Sequence, residues 1–168
     1  INTEMGFSDI VKRCEDQDCS SALLLDARDP HRLYMWAANC PGGPSAMFRV
    51  MNVHTVAELK FTARRVMNAR NLLVFDSEFG VSAERSVMRA LLTRIFAVPR
   101  RRLRGVVSQP ARHTLYFAWV EGSIWLRVYK IDAQPSAKAN VDEIGPRLVL
   151  RPVRVIASAF GGAILHGS

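Results

Sequence analysis

Two aromatic-rich runs of strand character, His113 to Val120 and Ile124 to Ile131, are separated only by Glu121-Gly122-Ser123. So short a connection between such runs predicts an antiparallel hairpin. A lone hairpin is barely stable in water, so the rest of the chain must supply further strands and the helices that cover them. The sequence alternates the two patterns. Ala22-Leu23-Leu24-Leu25 reads as a buried strand ending at Asp26, and Arg32 to Ala37 as a second strand after the Asp29-Pro30 turn. Pro41-Gly42-Gly43-Pro44 is a turn, after which Ala46 to Val53 alternates around Phe48 and Val50. Leu72 to Phe75 and Leu148 to Ile156, the latter interrupted by Pro152, complete the strand set.

Helical spacing falls between these runs. Ser8 as N-cap, with apolar Phe7, Ile10, Val11 and Cys14, predicts a short acidic helix over 9–17. Thr55-Val56-Ala57-Glu58 is a capping box, in which hydroxyl and carboxylate each satisfy an orphan amide, and it predicts a helix through about Met67. Ser82 opens a helix on which Met88, Leu91, Leu92, Ile95 and Phe96 form one stripe, and Pro99 ends it. Ala133 to Asn140, polar and small, reads as a loop. The expected class is a mixed α/β or α+β sheet structure rather than a bundle or sandwich.

A chain of 168 residues can bury about 70% of the surface that its unfolded form exposes, so a core forms without disulfides or metal. No apolar run approaches the ~20 residues of a membrane-spanning helix, and the first residues are neither basic nor apolar enough for a signal peptide. Cys14, Cys19 and Cys40 are odd in number and lack C-x-x-C spacing, which fits ordinary thiols in a reducing compartment. A zinc site from Cys14, Cys19, His31 and Cys40 would match no compact knuckle.

Charge is unevenly distributed. Of 23 basic residues only Lys12, Lys60, Lys130 and Lys138 are lysines, so arginine carries most of the +8 net charge. Arginine holds phosphate through a planar fork and stacks on bases, which points to a polyanionic partner. Residues 1–30 hold seven acids against three bases, a net of −4, leaving +12 on the remainder. Three basic clusters follow: Lys60, Arg64, Arg65 and Arg70; Arg100, Arg101, Arg102 and Arg104; and Arg147, Arg151 and Arg154. The first also fits a solvated helix face and the third the outward side of a strand. The second gains little from folding because its charges repel, and so reads more readily as an anion-binding loop. Tyr116, Trp119, Trp125 and Tyr129 on the hairpin either stack on unpaired bases or belong to the core, since one face of each strand must be buried.

No catalytic constellation emerges. The sequence lacks a Walker A loop, G-x-G-x-x-G, H-E-x-x-H and G-x-S-x-G. Gly42-Gly43-Pro44-Ser45 reads as a structural turn rather than a phosphate cradle, because proline removes a donor. His31, His54, His113 and His166 are scattered without a nucleophile, and His54 reads as the residue before a helix cap. No catalytic residue, metal site or cofactor is expected.

Several motifs recur in a fixed order: Leu33-Tyr34-Met35-Trp36; Gly43-Pro44-Ser45-Ala46-Met47-Phe48; Asn52-Val53-His54-Thr55-Val56-Ala57-Glu58-Leu59-Lys60; Leu73-Val74-Phe75-Asp76; Ile95-Phe96-Ala97-Val98-Pro99-Arg100; Ile124-Trp125-Leu126-Arg127; Glu143-Ile144-Gly145-Pro146-Arg147; and Ser158-Ala159-Phe160-Gly161-Gly162. From about Cys19 to Gly162 they resemble the Brix-domain family of ribosome assembly factors, and most of all its large-subunit member. The resemblance implies two similar α/β halves, like the anticodon-binding domains of class II aminoacyl-tRNA synthetases. These would be residues 1–80 and 81–168, with the boundary near Phe79 to Ser82 and the first half incomplete because its first strand and helix precede Ile1. It implies a nucleolar, non-enzymatic factor that binds pre-rRNA and assists large-subunit (60S) assembly and rRNA processing. Its implied partners are ribosomal proteins and an EBNA-binding-protein-like assembly factor, with no membrane. Met47 stands where a basic residue is common, Ala63-Arg64 replaces a frequent Gly-Asn, and Ala163 replaces a frequent proline.

The candidate RNA-binding residues are therefore Lys60, Arg64, Arg65, Arg100, Arg101, Arg102, Arg104, Arg147, Arg151 and Arg154. Two other readings remain: a tRNA-binding module of anticodon-domain type, and a metal-dependent RNA-processing enzyme using Asp76, Glu78, Asp142 and Glu143.

Overall fold

In the computed structural model, residues 6–61, 70–97, 111–131 and 141–167 are described. Arg64, Arg65, Met67, Pro99, Arg100 to Arg104 and the stretch 133–140, expected as a loop, lie outside them. The described residues form a mixed α/β fold in which two compact units interleave along the sequence, one within 1–50, 77–95 and 151–168, the other within 51–76 and 96–150. The units group residues that touch, and each draws on both sides of the 79–82 region.

The first unit begins with α1 (Phe7–Asp16). Its N-cap is Gly6 rather than Ser8, because Asp9 reaches back to accept the Gly6 backbone N–H at 3.0 Å. Its end is a Schellman motif: Asp18 takes the left-handed conformation at φ 50°, its N–H bonds to the Glu15 carbonyl, and the Cys19 N–H bonds to the Cys14 carbonyl at 2.7 Å. Three antiparallel strands follow, β1 (Ser21–Asp29), β2 (Arg32–Asn39) and β3 (Ser45–His54). All three run longer than the apolar pattern alone marks, since their polar ends still pair.

Alternation gives β2 two apolar faces. Trp36 and Ala38 join Phe7, Cys14, Cys40, Met47, Ile156 and Phe160 in one cluster, with the Phe7, Trp36 and Phe160 rings 5.0–5.9 Å apart. Met35 and Ala37 face the other way and are buried, paired with Phe48 and Ala46 of β3. Met47, where a basic residue is frequent in the resembled family, thus fills a core position opposite Trp36. A 3₁₀ turn (Ser77–Gly80) precedes α3 (Ala83–Phe96), which buries Met88, Leu91 and Leu92 of the expected stripe.

In the second unit, α2 (Val56–Leu59) has the expected cap: Thr55 Oγ1 accepts the Glu58 N–H and Glu58 Oε2 accepts the Thr55 N–H, both at 3.3 Å. The described helix ends at Leu59, where Lys60 takes the left-handed conformation at φ 49° after four residues, and the stretch from residue 62 to the expected end near Met67 lies outside the described residues. Next, β4 (Arg70–Phe75) pairs in parallel with β5 (Ala111–Val120), which forms the hairpin with β6 (Ser123–Ile131). Val120 pairs with Ser123, so the turn is only Glu121-Gly122, both at positive φ (49° and 73°), the geometry that matches strand twist. Two short strands carry no sequence pattern that marks them: β7 (Val141–Glu143) on β6, and, in the first unit, β9 (Ile164–Gly167) on β8. β8 (Arg147–Ile156) is a single strand through Pro152; its first residues pair with β6 and its last with β9. Among the described residues no helix is long and apolar enough to cross a membrane.

Candidate nucleic-acid interface

Strand alternation sorts the second unit's sheet into two faces. His113, Leu115, Phe117, Ile124, Leu126 and Val128 bury one face, where Phe117 stacks on Phe75 at 4.6 Å. Register places Tyr116 opposite Arg127, Ala118 opposite Trp125 and Thr114 opposite Tyr129 on the other. The hairpin aromatics therefore divide: Tyr116, Trp125 and Tyr129 share the outer face, and Trp119 falls on the register of Phe117.

Of the ten basic candidates, four are described. Lys60 is exposed at the end of α2, where its backbone rather than its charge ends the helix. Arg151 is exposed on β8. Arg147 is engaged within the fold: Nε and Nη2 donate to the two Glu143 carboxylate oxygens at 2.7 and 2.8 Å, and its guanidinium lies 5.4 Å from the Phe61 ring centre. These hydrogen bonds from Arg147, with Arg127 also close, hold the Glu143 carboxyl below its ordinary pKa and raise that of Arg147, while partial burial opposes both. Arg154 belongs to the first unit's core edge. Its guanidinium lies 5.3 Å from the Trp36 ring centre, and its Nε is buried without a hydrogen-bond partner among the described residues.

Residue type alone did not single out Arg127. Its guanidinium sits 5.0 Å from the Trp125 ring centre, donates to the Leu126 carbonyl at 3.2 Å, and lies 3.9 Å from Glu143. The signal was present in the period of two that places Trp125, Arg127 and Tyr129 opposite Ile124, Leu126 and Val128.

Three of the four acids considered for catalysis, Asp76, Glu78 and Glu143, have structural partners, and Asp142 lies on β7 in register with Lys130. Asp76 Oδ2 accepts the Trp119 backbone N–H while the Asp76 N–H donates to the Phe117 carbonyl, which fixes the end of β4 against β5. Glu143 is held by Arg147, and Glu78 Oε2 accepts from Arg85 at 2.7 Å. His54 precedes the Thr55 cap and pairs with Glu58 at 3.0 Å. Among the described residues no three His, Cys, Asp or Glu side chains gather as metal ligands. Cys14 and Cys40 are buried, and burial, then the neighbouring Cys14, pushes the Cys40 thiol up to about 12. It is an inert core thiol, not a nucleophile. Gly43-Pro44-Ser45 is a packing device: Gly43 adopts φ 87° with its α-carbon so near Ser158 that a Cβ would lie 2.4 Å from backbone carbon, and Ser45 bonds to the same segment.

The Brix domain matches residues 1–154. The chain is 38% identical over 154 residues to the ribosome biogenesis protein BRX1 homolog of Xenopus laevis, covering 91% of this chain and 44% of that protein. It is 37% identical over 154 residues to the human protein of the same name, covering 91% and 42%. The Dictyostelium discoideum counterpart is 31% identical over 170 residues, covering 100% and 51%. The chain thus spans about half the length of the curated relatives it matches. A solved structure described as a probable ribosomal biogenesis protein from Aeropyrum pernix K1 is similar with TM-score 0.48 and 11% identity, over 88% of this chain and 76% of that one.

Proposed function

Since the chain belongs to the Brix-domain family, we propose that it is a non-enzymatic nucleolar factor that binds pre-rRNA of the large ribosomal subunit and assists 60S assembly and rRNA processing. The observation that carries this reading is the match across residues 1–154 to relatives named as ribosome biogenesis proteins. Charge supports the RNA part: +8 overall, carried mostly by arginine, with Arg151 and Lys60 exposed and in no ion pair among the described residues. Arg64, Arg65 and Arg100 to Arg104 are assigned to the same backbone-contacting role. Arg147 and Arg154, engaged with Glu143 and Trp36, act by shaping the surface and contact phosphate through donors left over from those contacts.

The organisation into a first half, residues 1–80, and a second, 81–168, is part of the same reading. So are partners among ribosomal proteins and an EBNA-binding-protein-like assembly factor. Leu23 and Leu25 on β1, 47% and 60% exposed, supply apolar surface of the kind a protein partner buries. Depleting the protein from cells and following pre-rRNA and subunit levels tests the proposal. Large-subunit precursors should accumulate and mature large subunits fall; unchanged processing and subunit levels would refute it.

A further inference from the structure

Trp125 keeps 38% of its surface exposed, in contrast to Trp36 at 2%. It is not isolated. Tyr116, Arg127 and Tyr129 stand beside it on the same sheet face, fixed by the β5–β6 register, and Tyr129 is paired in turn with Glu143 of β7. Arg127 lies over the Trp125 ring, and its position is further set by the Leu126 carbonyl and by Glu143. Arg127 and Arg147 share one carboxylate, so this face carries net positive charge beside flat π surfaces. Rings needed only for packing would be expected on the opposite face, with Phe117.

We propose that the outer sheet face formed by Trp125, Arg127, Tyr116 and Tyr129 is a stacking platform for unpaired bases of single-stranded RNA. This rests on the reading of the chain as an RNA-binding factor and specifies the form of RNA the face takes. Unpaired bases expose π surfaces that rings and guanidinium planes receive regardless of sequence, whereas an A-form duplex hides them. The positive excess suits the phosphates that accompany those bases. Glu143 is a positioning residue, holding Arg147 and bordering Arg127.

The test measures binding of the 168-residue chain to a fluorescent RNA dodecamer without self-complementarity, and to a duplex of equal length, at several salt concentrations. Trp125→Ala is expected to weaken single-strand binding by roughly 5- to 100-fold, the range of one lost base stack. Duplex binding and the salt slope should stay unchanged, and Trp125→Phe should restore most of the loss. Arg127→Lys, which keeps the charge and loses the plane, should weaken single-strand binding several-fold and serves as the deciding variant if Trp125→Ala does not fold. Single-strand affinity unchanged in both variants, with wild-type binding intact, overturns the platform alone. Equal loss of duplex and single-strand binding also overturns it. Failure of the wild-type chain to bind either RNA removes the RNA reading and the platform together.

Discussion

Ser45 holds Phe160: its buried hydroxyl accepts the Phe160 backbone N–H at 3.0 Å while donating to the Ser158 carbonyl at 2.7 Å. One oxygen thereby satisfies two backbone groups of the Ser158-Ala159-Phe160 turn and seats the Phe160 ring against Phe7 and Trp36. Ser45→Ala leaves both groups without this partner, at a cost of about 2–3 kcal/mol. In thermal unfolding this should lower Tm by roughly 5–10 °C for a chain of this size. Gly43→Ala should cost more, since it combines a positive φ with contact against backbone that cannot yield.

Acid sensitivity should trace in part to Glu143. Its pKa in the fold lies below the ordinary 4.5, chiefly through the Arg147 hydrogen bonds. A depressed carboxyl contributes stability that is present above its unfolded pKa and lost as pH falls through the folded one. Urea unfolding from pH 7 downward should therefore show a decline below about pH 4.5 that Glu143→Gln makes shallower, together with lower stability of that variant at pH 7. An identical pH profile for the variant would remove the pair from the account.

Arg151 and Arg154, three residues apart on β8, should behave differently. Arg151→Gln is expected to leave Tm within about 1–2 °C, as surface changes do, and to reduce the slope of log affinity against log salt by about 0.7 for single-stranded RNA. Arg154→Lys keeps the charge but loses the guanidinium plane over Trp36, so stability should fall by on the order of 1 kcal/mol with the slope unchanged. Thermal melts and salt titrations of the two variants check this.

Much of the fold was legible because its signals are local. Glu121-Gly122 specifies a two-residue turn wherever strand-like runs flank it, and Thr55 with Glu58 caps a helix whatever follows. What remained hidden depends on the rest of the chain. Lys60 is not a residue that announces a left-handed stop, so nothing in the Thr55 to Glu58 capping box marks an end after Leu59. β9, exposed along its whole length, has no buried face to leave a period in the sequence. The site divides the same way. Arginine clusters can be counted from the sequence, but Trp36 is brought beneath Arg154 by tertiary structure, and Glu143 meets Arg147 across a short turn that no helical spacing marks. The Trp125, Arg127 and Tyr129 alternation was readable in advance, yet a single arginine between aromatics draws less notice than four in a row.

The proposed binding of pre-rRNA during large-subunit assembly is best read by ultraviolet crosslinking of the protein to RNA in cells and sequencing of what is attached. Large-subunit pre-rRNA should be recovered at a few discrete positions. Recovery mainly of tRNA, or of no RNA above background, would contradict it.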